Sequence, residues 1–259
     1  MTGSSTSTRP LALVTGASRG IGRAIAERLA DEHDLVLHAR SAASLDALAS
    51  ALRGRAEVSI VAGDLGDEAG LQGVLAGLAA LPRPILVLIN NAGMAASRPA
   101  LKTEPALWRS LLDVNLRAPF ELARALLPGM IAAGFGRVIN VASTAALKGY
   151  AYTAAYSASK AGLVGWTRAL AVEVARSGVT VNAVCPGFTD TDIAADAVKN
   201  IARATRRSPE EARGSLAAFS PQGRLLGPEE VAGLVAYLAS PAAGGVNGQA
   251  LAIDGGETA

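Results

Sequence analysis

Tyr156 and Lys160 stand four residues apart in a segment that stays apolar and helical in pattern through Gly165, Trp166 and Leu170, which places both side chains on one helix face. Ser143 lies thirteen residues before Tyr156, just past Arg137-Val-Ile-Asn-Val-Ala142, a run that reads as a buried strand. A phenol of ordinary pKa near 10 is a poor acid or base at neutral pH, but an ammonium close by favours the phenolate. At about 4 Å and an effective dielectric of about 20 that attraction is about 4 kcal/mol, or up to about three pKa units before desolvation is set against it. Lys160 is therefore expected to bring Tyr156 nearer the working pH, while a hydroxyl at Ser143 holds the carbonyl oxygen that Tyr156 protonates. A lone Tyr and Lys at this spacing is more often an ordinary surface pair. Ser143, together with the glycine-rich start of the chain, turns the balance towards chemistry.

Protonating a carbonyl is half of a reduction, and the start of the chain offers a place for the hydride donor. Leu11-Ala-Leu-Val-Thr15 is an apolar run of strand length, followed at once by Gly16-Ala17-Ser18-Arg19-Gly20-Ile21-Gly22 and then a helical pattern through Leu29. Strand, glycine turn and helix in that order make a dinucleotide site, because glycines let the backbone approach a pyrophosphate held at a helix N-terminus. The second strand, residues 34–40, lacks at its end the carboxylate that would bind the ribose 2′-hydroxyl of NAD. Arg40 stands there instead, and with Arg19 in the glycine turn two guanidiniums are placed to bracket a 2′-phosphate. The expected cofactor is NADP (NADPH), with NAD less favoured.

Further strand patterns follow at 57–62, 84–89, 178–185 and 249–256. Seven strands alternating with helices make an α/β, Rossmann-like, doubly wound and mainly parallel sheet with helices on both faces, whose ligands sit at the carboxyl ends of the strands. The glycine turn, Asn91, Ser143 and Pro186 all fall at those ends. A helical stretch from about Pro105 carries Asn115, and Pro119, four residues on, has no N–H for its carbonyl, so a kink is expected. Two short helical patterns, split at Ser208-Pro209, fill residues 192–226.

The 259 residues are 50% hydrophobic, enough for one large core, and no change of composition divides them. A single domain is expected over residues 10–259, behind a disordered tail at 1–9 that has no apolar core for a signal peptide. A net charge of +2, with the basic residues spread along the chain, argues against nucleic acid as a partner. No uncharged apolar run reaches the roughly 18 residues of a membrane span. One cysteine, Cys185, excludes an internal disulfide framework, and His33 and His38 have no Cys or acidic cluster at ligand spacing, so no metal site is expected. These features lead us to expect a cytoplasmic protein.

Together the motifs resemble the short-chain dehydrogenase/reductase family along nearly the whole chain. The glycine spacing is the form that family uses, Asp64-Leu65 resembles its adenine-contacting pair, and Asn90-Asn91-Ala92-Gly93 resembles its second signature, where small residues admit the cofactor and Asn91 braces neighbouring strands. Pro186-Gly187-Phe188-Thr189-Asp190-Thr191 is similar to the segment that contacts the nicotinamide carboxamide and the phosphates, and residues 192–226 to a mobile substrate lid. The resemblance implies that Asn115 at the helix kink holds a water relaying protons to Lys160, and that Lys160 also binds the cofactor ribose beside Tyr156. It further implies a homotetramer through the helices carrying Asn115 and Tyr156, which are rich in Ala, Leu and Val on more than one side.

The implied activity interconverts a ketone and a secondary alcohol, with Tyr156 as acid/base, Lys160 tuning it, Ser143 polarising the carbonyl and Asn115 completing the relay. Residues 184–191 and 220–225 are similar to 3-oxoacyl-thioester reductases and 3-hydroxyacyl-CoA dehydrogenases, and residues 142–160 resemble aromatic polyketide ketoreductases. Where carrier-protein reductases commonly have a basic run, this chain has Ala132-Ala-Gly-Phe135, which favours an acyl-CoA over an acyl carrier protein. Arg203, Arg206, Arg207 and Arg213 cluster in the expected lid, where they read as a solvated helix face, the alternative being that one or two of them grip the phosphates of a CoA thioester. A polyketide or other small-ketone ketoreductase is the alternative. A non-catalytic NADP-sensing module, free to lose its proton donor, is set aside because all four catalytic positions are intact.

Overall fold

The short apolar runs of the sequence become the strands of one seven-stranded sheet, ordered β3-β2-β1-β4-β5-β6-β7, in a computed structural model that describes residues 9 to 259. The expected tail lies, but for Arg9, outside the described residues. The first half of the chain runs β1 (Leu11–Val14), α1 (Gly20–Leu29), β2 (Asp34–Ala39), α2 (Asp46–Leu52), β3 (Val58–Ala62), α3 (Glu68–Ala79), β4 (Ile85–Asn90), α4 (Pro105–Leu112), α5 (Ala118–Ala132) and β5 (Gly136–Val141). Then follow α6 (Ala154–Val174), β6 (Val179–Pro186), α7 (Asp192–Thr205), α8 (Pro209–Ala217), α9 (Pro228–Ala239) and β7 (Ala250–Ile253). Every strand pairing is parallel, where the sequence led us to expect a mainly parallel sheet.

Parallel strands must be covered on both faces, which is why they read as continuous apolar runs rather than alternating ones. β1, β2, β5 and β6 are buried along their whole length. One face packs Ile25, Leu29, Leu48, Val235 and Leu238 from α1, α2 and α9 against the sheet. The other packs Leu71, Val74, Leu122, Leu170 and Val174 from α3, α5 and α6. The strand order reverses between β1 and β4, and the crevice that such a reversal opens lies at the carboxyl ends of the strands.

Two expectations are refined. The stretch from Pro105 does not simply kink at Pro119: α4 passes through one turn of π-helix, Asp113–Arg117, before α5. Pro119 cannot close the usual bond back to Asn115, and the ladder adjusts by widening, with the Ala118 N–H bonding the Asp113 carbonyl five residues back. The last strand is shorter than residues 249–256, because Asp254 accepts the N–H groups of Gly256 and Thr258 and turns the chain, with Gly255 and Gly256 in the left-handed region at φ 65° and 91°. Among the described residues no helix is long and apolar enough to cross a membrane.

Candidate active site

The reversal point is stitched by a single hydroxyl. Thr15, at the end of β1, donates to the Ile89 carbonyl at 3.1 Å and accepts from the N–H groups of Asn91 and Ala92 at 2.9 Å each. The Asn91 amide returns the tie, donating to the carbonyls of Thr15 at 2.9 Å and Gly16 at 3.3 Å. Asn91 thus braces β1 against β4. The turn between β1 and α1 admits no side chain at two points: a Cβ on Gly22 would stand 2.2 Å from the Gly16 carbonyl oxygen, and Gly16 itself has φ +66°. Ser18 and Ile21 sit half-buried in the same turn, and α1 opens at Gly20 from an extended Arg19 with no side-chain cap and no acid in its first turn. An uncapped helix start after a glycine turn, with no acid in its own first turn, fits the pyrophosphate of a dinucleotide.

Around that turn the other expected cofactor residues gather at the same edge. The Ala17 N–H bonds the His38 carbonyl at 2.9 Å, which brings the glycine turn beside the end of β2 and the exposed Arg40. Arg19 does not stand free: its Nη1 donates to Asp192 Oδ2 at 3.1 Å, with both side chains more than half exposed. Asp64 is exposed after β3, where it accepts the Gly66 N–H, and Leu65 is buried in the core, leaving chiefly its backbone for a ligand. Past β6, the Gly187 N–H bonds the Ile253 carbonyl, and Thr189 and Thr191 each turn their hydroxyl back onto a backbone carbonyl two residues earlier. The Thr191 methyl comes within 3.2 Å of the place a Gly20 Cβ would occupy, so this segment closes over the glycine turn.

The four expected catalytic side chains meet beyond β4 and β5. Ser143, in extended conformation, caps the short Thr144–Ala146 turn by accepting the Ala145 N–H at 3.1 Å, and its side chain lies near enough to the Tyr156 phenol to act on its acidity. Lys160 is buried and donates to the Val141 carbonyl at 2.8 Å. Asn115 is wholly buried in the π-turn; it accepts the Met94 N–H at 2.9 Å, and donates to the Met94 carbonyl at 2.9 Å and to Ser159 Oγ at 3.0 Å. A Cβ on Gly93 would lie 3.1 Å from Asn115 Oδ1 and 3.5 Å from Lys160 Nζ, so the bare glycine is where the two come together.

The electrostatics correct the sequence expectation. Burial pushes the Tyr156 phenol above its ordinary value, the neighbouring Ser143 side chain draws it back, and the Cys185 thiol adds to the rise. The ammonium meant to lower it is directed at Val141 and is itself lowered by burial to about 8. Helical spacing put the two residues on one face; it could not say which carbonyl would claim the amine. Thr15, Met94 and Ser159 also escaped the sequence reading. Ser159, a small polar residue beside Lys160 on a face that is otherwise apolar, was the one readable signal.

The segment after β6 forms α7 and α8, separated by Arg206 at φ 57° and by a capping box of Ser208 with Glu211. Arg213 is already held by Asp190 through two bonds of 3.0 and 2.7 Å, and Arg203 reaches Asn200 at 3.5 Å. Arg206 and Arg207 are exposed, with no ion pair among the described residues.

The chain belongs to the short-chain dehydrogenase family, whose model, described as short chain dehydrogenase, matches residues 10–202. It is an oxidoreductase of that family, single-domain and built on the seven-stranded parallel sheet. A Streptomyces coelicolor protein named as a ketoacyl reductase is 38% identical over 252 residues, covering 95% of this chain and 96% of its own. The 3-oxoacyl-[acyl-carrier-protein] reductase of Escherichia coli K12 is 36% identical over 247 residues, at 95% and 96% coverage. The crystal structure of a single-site variant of actinorhodin polyketide ketoreductase with NADPH superposes with a TM-score of 0.92 and 37% identity, covering 98% of both chains.

The lowered Lys160 has a consequence for stability. Its folded value of about 8 lies below the ordinary 10.5, so between these the unfolded chain binds more protons and stability rises with pH. From pH 8 to 9 the cofactor-free protein is expected to gain roughly 1 kcal/mol from this group, a gain that Lys160→Met should abolish. Melting temperatures of both proteins at the two pH values measure it; equal changes in the two would remove Lys160 as the source.

Proposed function

We propose that the protein is an NADPH-dependent reductase that interconverts a ketone and a secondary alcohol. The observation that carries this reading is the gathering of Ser143, Tyr156, Lys160 and Asn115 at the carboxyl edge of the sheet. The glycine turn from Gly16 to Gly22 would hold the pyrophosphate, Arg19 and Arg40 the 2′-phosphate, Asp64 and Leu65 the adenine end. Asn91, Ala92 and Gly93 would pass close to the cofactor, and Pro186, Gly187, Thr189 and Thr191 would hold its nicotinamide end. NADPH supplies the hydride.

The protein supplies the rest. Ser143 and Tyr156 present two O–H groups to one carbonyl oxygen, holding it where negative charge develops. A phenol pushed up by burial keeps its proton at neutral pH, which is the state a general acid needs in the reducing direction. Lys160, lowered to about 8, can exchange a proton near working pH, and Asn115 fixes the Met94 segment that walls this corner. In this reading Asn115 has its side chain engaged by Met94 and Ser159, and its part in a proton relay falls to its backbone carbonyl, which Pro119 cannot occupy.

The substrate we favour is a 3-oxoacyl thioester, as the names of two relatives suggest. Of the four lid arginines, Arg206 and Arg207 are the two left to meet the phosphates of CoA. A ring-bearing polyketide is the second reading. It is favoured by the aromatic group of Tyr150, Phe188 and Phe219, whose rings meet at centroid distances of 5.2 to 6.1 Å beside the site, and by the likeness to actinorhodin ketoreductase. NADPH oxidation with acetoacetyl-CoA, its truncated thioester and a bicyclic ketone separates the two. We also propose a homotetramer, because Phe120 and Ile131 on α5 and Val172 on α6 are exposed, with Phe120 against Trp166 joining the two helices. Light scattering at micromolar concentration should give four chains, and a monomer would refute it.

Tyr156→Phe should lower turnover by at least the roughly 10²–10⁴-fold typical of general acid catalysis while NADPH still binds. Retention of more than a tenth of the activity would displace Tyr156 from its role. For cofactor choice, hydrogen bonds to charged groups contribute roughly 1.5–3 kcal/mol each, and solvent screening with competition from Asp192 brings the pair to on the order of 3 kcal/mol. That is about a hundredfold preference in kcat/KM for NADPH over NADH. Joint replacement Ala39→Asp and Arg40→Ser should reverse it; a wild-type ratio at or below one would return both arginines to the role of surface charges.

A further inference from the structure

The last residues of the chain reach into the wall of the site. The Asp254 turn sends the Glu257 side chain inward, where it is 1% exposed. Glu257 Oε1 accepts the Tyr150 hydroxyl and lies 3.5 Å from Lys148 Nζ, which also donates to the Glu257 carbonyl at 3.2 Å. Oε2 is buried without a hydrogen-bond partner, facing Gly187, where an added Cβ would stand 3.1 Å from it. A buried carboxylate left half-satisfied is costly, and nothing in the reduction described above uses it.

What it does is visible along the hydrogen bonds. The Tyr150 hydroxyl lies 2.7 Å from Thr144 Oγ1. A phenol has one proton, and this one goes to the carboxylate, so the Thr144 hydroxyl donates to Tyr150. Thr144 directly follows Ser143 and opens the turn that Ser143 caps. The carboxylate therefore orders a chain of two hydroxyls that ends one residue from the group meeting the carbonyl. The Tyr150 ring is separately seated against Phe188 and Phe219, so its ring can stay in place if its hydroxyl is lost.

We propose that Glu257 is a positioning residue for Ser143, fixing through Tyr150 and Thr144 the turn that aims the Ser143 hydroxyl at the substrate. This rests on the reading of Ser143 as the carbonyl polariser. Glu257→Ala should lower kcat at least tenfold for every ketone accepted, with KM and the NADPH dissociation constant within threefold of wild type. Tyr150→Phe should do the same, and Glu257→Gln, which keeps an acceptor for Tyr150, should restore kcat to within about threefold. A residue acting through Ser143 has little left to lose once that hydroxyl is gone, so Glu257→Ala added to Ser143→Ala should cost less than twofold further. Full additivity of the two losses, an unchanged kcat in Glu257→Ala, or a Gln variant as poor as the Ala variant would overturn the proposal. Undiminished activity of Ser143→Ala alone would instead overturn the polariser reading, and the proposal with it.

Discussion

A sheet whose strands all run one way has all its strand carboxyl ends on one edge, and the site depends on that constraint. Each of β1, β4, β5 and β6 delivers its next few residues to the same place, and those residues are the glycine turn, Asn91 to Met94, Ser143 and Gly187. Covering both faces with helices consumes the apolar surface, and the edge is left as the region where backbone polar groups emerge unpaired. Side chains take up many of them. Thr15 and Asn91 close the gap between β1 and β4, Lys160 takes the carbonyl of Val141 at the end of β5, and Asn115 takes both backbone groups of Met94.

In the proposed reductase the same side chains would thereby serve packing and chemistry at once. Lys160 can lie buried because Val141 gives it an acceptor, and burial is also what brings its amine to about 8. Asn115 can lie buried in a helical region because the π-turn presents it towards Met94, and the π-turn exists because Pro119 withholds an N–H. Gly93 between them is bare for the same geometric reason as Gly22: a methyl there would push against polar atoms that have nowhere else to go. Replacing such a glycine would thus disturb packing and site together.

Elements and residue types were legible in the sequence because periodicity, glycines and prolines act locally. Tyr156 and Lys160 share a helix face as their spacing requires, and residues 192–226 break at Ser208-Pro209 as the capping chemistry requires. What spacing cannot carry is which partner a long side chain finds across the fold. Lys160 found Val141 rather than Tyr156, Arg19 found Asp192, and Arg213 found Asp190 from 23 residues away. The Glu257 to Tyr150 contact spans 107 residues and joins two segments with no local pattern of their own, so no reading of either alone could have paired them.

Those cross-fold pairs also say which part of the molecule is held least firmly. α7 and α8 pack on a small cluster of their own, Val198, Ala212 and Leu216 with Phe188 and Leu225 at its border, separate from the two clusters that flank the sheet. The ion pairs that tie them down, Arg19 with Asp192 and Arg213 with Asp190, are each about half exposed or more, a class worth about 0–1 kcal/mol apiece. Few buried apolar contacts and weak surface pairs are the marks of a segment that opens at a fraction of the global unfolding free energy. The sheet edge beneath it, with Thr15, Asn91, Asn115 and Lys160 bound into the core, has the opposite character. In the reductase proposed above, a rigid edge under a loosely held pair of helices would let a ligand enter without disturbing the groups that must already be aligned when it arrives.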